Sequence, residues 1–436
     1  MIQRHRISAW ALPASAVLAV ANAACSGDDG PDPNALIHEA TDCGSRQIEP
    51  CDIIDTACQE RLAEIAACQW GGPGTPALLP PVTTLTEAEY RVVLNDRATP
   101  AMQTSMMGAM GSDDMPSEAR AAFDDVLVEF GLIDGGDLSV EASIDRNADA
   151  VLAFYDFETK AITIIDREQE LDLLAANSTL LHELIHAQQD AAHDLGGLLE
   201  GVLPTIDAVT SVSTLYEGEA KFHQTLFEAG MVKVDLTAEL LERGLSNYRQ
   251  AAQDAMFMAP SALLSTLQYV PYMYGPEWMY DLWIEGGAPR IQSRYDVVPT
   301  NMLDALAAAW SEPAPNALLS SFPAANVYSQ DPEALPLAVD RMGAWTVYVA
   351  ARLAGEASVA QELALSWRGD QLDVFRLDAG GSAGRWRLYF DTEAHAAAFQ
   401  GVISKNSRVT TRRSAKIVMC VVSQSGVVPQ WLFGPL

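Results

Sequence analysis

The residues best suited to chemistry are His182, Glu183 and His186 in the string His182-Glu183-Leu184-Ile185-His186. Two histidines four residues apart share one face of an α-helix, because four residues advance the direction by about 40° past a full turn. Both imidazoles can then meet one zinc ion while the intervening carboxylate reaches a water beside it. The flanks suit a helix at a core boundary. Leu180, Leu181, Leu184 and Ile185 are apolar, whereas His182, His186, Gln189 and His193 form a polar stripe at helical spacing. Burying unpaired imidazoles and a carboxylate is costly, and a metal with hydrogen-bonded neighbours satisfies them. A solvated helix face is the competing explanation of the stripe.

Catalytic zinc keeps three protein ligands and one open position. The third ligand expected here is Glu217, 31 residues after His186, on a second helical pattern in Leu215-Tyr216-Glu217-Gly218-Glu219-Ala220. Gly218 and Ala220 lack bulk, which is expected to let this helix approach the first. Glu219 points about 200° away and is expected to be structural or solvated; with His223 it forms the competing site. Asp190 is expected either to orient a ligand imidazole or to be solvated. His193, seven positions beyond His186, is not expected to be a ligand.

A helix with HExxH followed by a second helix with a ligand glutamate resembles the gluzincin metallopeptidases. In the aminopeptidase type the ligand glutamate precedes glycine in an Asn-Glu-Gly segment, which matches Glu217; Tyr216 stands in place of the asparagine. More narrowly, HELIHAQQD, EGEA, Pro271-Tyr272-x-x-Gly275 and Glu285-Gly286-Gly287 resemble secreted or lipid-anchored bacterial HExxH proteins. That resemblance extends to Trp367-Arg368-Gly369-Asp370 and residues 386–399 and covers most of the chain after about residue 85. It implies a zincin-like core with zinc held by His182, His186 and Glu217, and Glu183 as the base that takes a proton from water and passes it to a leaving amine. It also implies a Tyr or His donor for the developing oxyanion, for which Tyr272 is the first choice, then Tyr274 and Tyr269. The implied reaction is zinc-dependent hydrolysis of a peptide or protein substrate. Two alternatives stand beside it: a non-catalytic, zinc-stabilised surface lipoprotein that binds a partner, and an amidase acting on cell-wall peptides.

The chain must build the elements that position these groups. It has 436 residues, 49% hydrophobic and 19% charged, enough for a sizeable core. The formal net charge of −31 excludes nucleic acid as the main partner, because such binding needs a basic face. Residues 1–24 read as an export signal, with Arg4, His5 and Arg6 before an apolar stretch and small residues. Two endings compete: cleavage after Ala21-Asn22-Ala23, or a lipoprotein boundary at Cys25, whose lipidation would attach the protein to a membrane. Of six cysteines, Cys43, Cys51, Cys58 and Cys68 cluster and are expected to form two local disulfides, leaving Cys420 as a buried thiol; the alternative is a third disulfide from Cys25 to Cys420. No later segment is apolar over the length of a membrane span.

The expected fold class is α+β, mainly helical, with a small β-containing C-terminal region. Residues 25–81 read as a flexible tether and Cys-rich segment, simpler as a stalk than as a cover over the cleft. Residues 82–330 form the zincin-like catalytic domain and 331–436 a C-terminal α+β subdomain. Thr86 and Glu89 offer a capping box. A β-hairpin is predicted over 151–166, and helices over 117–130, 169–194, 206–229, 236–258, 276–284 and 339–353. Strands are predicted near 372–377, 386–390 and 416–422, and Arg368-Gly369-Asp370 is read as a turn.

Overall fold

The computed structural model describes residues 32–97, 116–134, 151–167, 172–201, 205–258, 262–313, 315, 335–378 and 380–433. The expected export signal and the Cys25 boundary lie outside them. Among these residues thirteen helices and two sheets make a mixed α+β, mostly helical fold.

The HExxH helix spans Leu173–His193 and begins at Asp172, whose side chain accepts from the Leu174 and Ala175 amides. That cap satisfies amides that have no partner inside the helix. Leu180, Leu181, Leu184 and Ile185 are fully buried, so the apolar flanks read in the sequence are the core face. The helix packs against two others: a cysteine-bearing helix, Thr56–Gly71, and the Glu217 helix, Ile206–Met231. The Glu217 helix in turn packs along a long helix, Ala262–Gln292, that carries Tyr272. This last helix is far longer than the predicted 276–284. Pro271, Pro276 and Pro289 sit inside it, and Pro276 had suggested a start. Its break lies at Gly286 and Gly287, where φ at Gly287 is +66°.

Strand β1 (Val82–Thr86) runs parallel to β3 (Ala161–Asp166), and β2 (Ala153–Asp156) pairs with β3 antiparallel, giving the order β1-β3-β2. The predicted hairpin is therefore β2 and β3, with Lys160 at φ +53° in its turn. At the end of β1, Thr86 and Glu89 exchange hydrogen bonds: the Thr86 amide donates to Glu89 at 2.8 Å, and the Glu89 amide to Thr86 Oγ1 at 3.2 Å. Inward residues Tyr155, Ile162 and Ile164 share one apolar cluster with Ile53, Leu62 and Ile65 of the Cys-rich segment and with Leu181 and Leu184. The segment from Cys43 to Cys68 is thus built into the core beside the HExxH helix. Two disulfides close it, Cys43–Cys68 and Cys51–Cys58, while Cys420 is free and buried. The Asn177 carboxamide clamps it to the helix, accepting from the Cys51 amide at 3.0 Å and donating to the Cys51 carbonyl at 2.6 Å.

Strands β4 (Ala338–Asp340), β5 (Trp367–Arg376), β6 (Ser382–Phe390), β7 (Thr410–Ser414) and β8 (Ile417–Ser423) form an antiparallel sheet ordered β4-β5-β6-β8-β7. Trp386, Leu388 and Phe390 join the cluster that reaches Leu215 and Met273 in the central helices. Two readings are corrected here. Arg368-Gly369-Asp370 is not a turn but part of β5, at an irregularity between Trp367 and Gly369; Asp370 is buried, accepting from the indoles of Trp367 and Trp386. The helix predicted from 339 starts at Gly343, because residues 338–340 pair as β4.

Candidate metal centre

Three donor atoms from two helices converge. His182 Nε2 and His186 Nε2 are 3.0 Å apart, and Glu217 Oε2 lies 3.1 Å from the first and 3.2 Å from the second. Among the described residues this is the one group of three or more His, Cys, Asp or Glu side chains close enough to hold a metal ion. A tetrahedral zinc with bonds near 2.0–2.1 Å has donor–donor edges of about 3.3 Å, so the triangle fits the ion with almost no rearrangement. The i, i+4 spacing does what the sequence required of it: the two imidazole rings lie 4.6 Å apart at 87°, edge to face.

The surroundings of these three side chains are aromatic and polar. Phe157 and Tyr216 set ring edges against His186, and Tyr272 stacks on His182 at 6.0 Å and 29°. The Tyr272 hydroxyl is hydrogen-bonded to Glu217. His186 Nδ1 lies 2.8 Å from Gln189 Oε1, whereas no described residue bonds His182 Nδ1. Glu183 stands beside the triangle, buried, with Oε2 accepting the Tyr155 amide of β2 at 2.8 Å. The edge strand thereby holds the carboxylate in place.

Electrostatics separate the groups. Burial lowers His182 to about 4. It also opposes charge on His186, but the Glu217 carboxylate outweighs it and lifts His186 to about 9. Burial would raise Glu217, yet the His186 charge and hydrogen bonds from both imidazoles hold it well below the usual carboxylate range. For Glu183 burial dominates and raises it to about 7. A carboxylate balanced near neutrality can both take and return a proton.

The predicted residues divide as follows. His182, His186 and Glu217 come together with Glu183 and Tyr272 around them. Tyr274, two residues from Tyr272, is fully buried elsewhere and donates to Gln253. Glu219 and His223 approach to 4.0 Å, with no third metal-ligating donor near enough among the described residues. His193 stacks on Tyr295 at 4.1 Å. Asp190 neither orients a ligand nor is solvated: it is buried and accepts from the Tyr155 hydroxyl, Lys160 Nζ and the Leu195 amide. Gly218 faces Gly275 rather than the HExxH helix, while Ala220 packs in the cluster that contains Leu181 and Leu184. Two contributors were missed. Gln189 stood in the polar stripe, three residues after His186, and that spacing was its signal. Tyr155 acts through its main chain, which leaves no trace in residue type.

No family model, no curated protein and no solved structure matches this chain.

Proposed function

We propose that this chain is an exported zinc metallohydrolase, a gluzincin-like peptidase with a zincin-like core. The observation that carries the reading is the convergence of His182 Nε2, His186 Nε2 and Glu217 Oε2 with a buried glutamate between the histidines in sequence. When bound, zinc supplies a Lewis acid that polarises a scissile carbonyl and acidifies water. Glu183 takes the proton of the attacking water at its carboxylate and returns it to the leaving nitrogen. The Tyr155 amide keeps that carboxylate aimed at the site, and the Tyr272 hydroxyl donates to the oxygen that gains negative charge. Two disulfides support an exported protein. Among the described residues no helix is long and apolar enough to cross a membrane.

The test measures bound zinc and hydrolysis of a mixed fluorogenic peptide library by wild type, Glu183→Gln and Glu217→Ala. The expected result is one zinc per chain in wild type and Glu183→Gln, turnover in wild type alone, and weakened zinc in Glu217→Ala. Equal hydrolysis by wild type and Glu183→Gln overturns the reading and favours a non-catalytic zinc protein.

A further inference from the structure

Behind His186 runs a chain of buried polar groups that the proposed reaction does not use. Gln189 is fully buried, and its carboxamide is held at both ends. Its Nε2 lies 2.9 Å from the Tyr216 carbonyl, 2.8 Å from Glu219 Oε2 and 3.1 Å from the Tyr295 hydroxyl. A carbonyl oxygen can only accept, so that end of the amide must be the NH2 group. The other end, Oε1, is therefore an acceptor, 2.8 Å from His186 Nδ1. An acceptor there requires Nδ1 to carry hydrogen, so the proton that His186 gives up when a metal binds is the one on Nε2, whose lone pair then faces the ion.

Glu219 is what makes this orientation costly to reverse. It is fully buried, and its Oε2 also accepts from the Tyr295 hydroxyl at 2.6 Å. Turning the Gln189 amide over would set its oxygen against the Tyr216 carbonyl and the Glu219 carboxylate and leave its NH2 against an N–H. Buried mismatches of this kind cost about 1–3 kcal/mol each.

We infer that Gln189 and Glu219 are paired positioning residues: Glu219 fixes the rotamer of Gln189, and Gln189 fixes the Nδ1–H tautomer of His186 so that Nε2 is presented to the metal. The inference rests on the zinc reading of the His182, His186 and Glu217 site. It gives the two acidic positions of the Glu217-Gly218-Glu219 segment different tasks, the first as a ligand and the second as the anchor of a ligand's hydrogen-bond partner.

The test is zinc affinity, by chelator competition, for folded wild type, Glu219→Gln, Gln189→Glu and the reciprocal double variant Gln189→Glu/Glu219→Gln, with melting of the zinc-free proteins alongside. Gln189→Glu puts two carboxylates face to face and should weaken zinc about 10–100-fold, and Glu219→Gln should weaken it in the same direction. The double variant restores a donor at 219 for an acceptor at 189, and should recover at least about tenfold of the affinity lost in Gln189→Glu. A purely structural role would lower the melting temperature without this reciprocal recovery. Unchanged affinity in Glu219→Gln, or a double variant weaker than Gln189→Glu, overturns the inference while leaving the zinc site standing. Absence of zinc binding by wild type overturns both.

Discussion

Gly218 and Gly275 meet backbone to backbone: a Cβ added at Gly218 would lie 2.6 Å from the Gly275 Cα, and one added at Gly275 would lie 2.5 Å from the Gly218 Cα. The contact joins the helix that carries Glu217 to the helix that carries Tyr272. Neither neighbour is a flexible side chain, so any added methyl must push the helices apart.

Gly218→Ala and Gly275→Ala are therefore expected to destabilise the fold by about 1–3 kcal/mol through overpacking and to weaken zinc binding as Glu217 moves. Urea unfolding and zinc competition measure the two effects. Gly244→Ala is the control, because a Cβ there meets nothing within 4 Å inside a helix; it should stabilise by about 0.5–1 kcal/mol. Equal behaviour of Gly218→Ala and Gly244→Ala would show that the close approach is unimportant.

Asp190, near the end of the HExxH helix, joins it to the tip of the hairpin, strand β2 and the start of the next helix through Lys160, Tyr155 and Leu195. Since the Tyr155 amide also holds Glu183, Asp190→Ala should lower stability by about 2–4 kcal/mol. It should also reduce peptide turnover more than it reduces zinc content. Zinc loss that tracks turnover loss would instead place Asp190 among the supports of the ligands.

Asp340 is buried at the start of the Glu217 helix, where it accepts from the Ile206 amide, and burial raises it to about 8. A carboxyl raised on folding contributes stability that is fully present below its unfolded value near 4 and is lost as pH rises through about 8. Asp340→Asn mimics the protonated form. Its melting temperature should fall less between about pH 4 and pH 8.5 than that of wild type. A parallel pair of melting profiles refutes this.

The Cys43–Cys68 disulfide closes a separation of 25 residues around the segment that packs on the HExxH helix. Constraint of the unfolded chain predicts about 3 kcal/mol from it. Reduction should lower the melting temperature and, by loosening the helix that bears the ligands, weaken zinc. An unchanged melting temperature with all cysteines reduced would rule this out.

On the proposed reading, chelation should also lower the melting temperature of wild type, because an ion held by the native triangle stabilises the folded chain alone. Glu217→Ala should abolish most of that shift. Calorimetry with and without chelator measures it.

Much of the centre was legible in the sequence because helical geometry is local. The spacing of His182 and His186 fixes their shared face whatever surrounds them, and a glutamate followed by small residues marked a second helix able to come close. The hairpin, the Thr86–Glu89 cap and the local disulfides are likewise set by neighbours in sequence. Tertiary packing alone chose among residues of equal local standing. Tyr272 stacks on His182 while Tyr274, about 200° around the same helix, is directed into the core. Gln189 bonds His186 and Asp190 a strand, one residue apart. Gly218 meets a helix 57 residues further along the chain rather than the one it was expected to approach. Each outcome depends on which distant surface covers a given helix face, and residue type and periodicity do not carry that information.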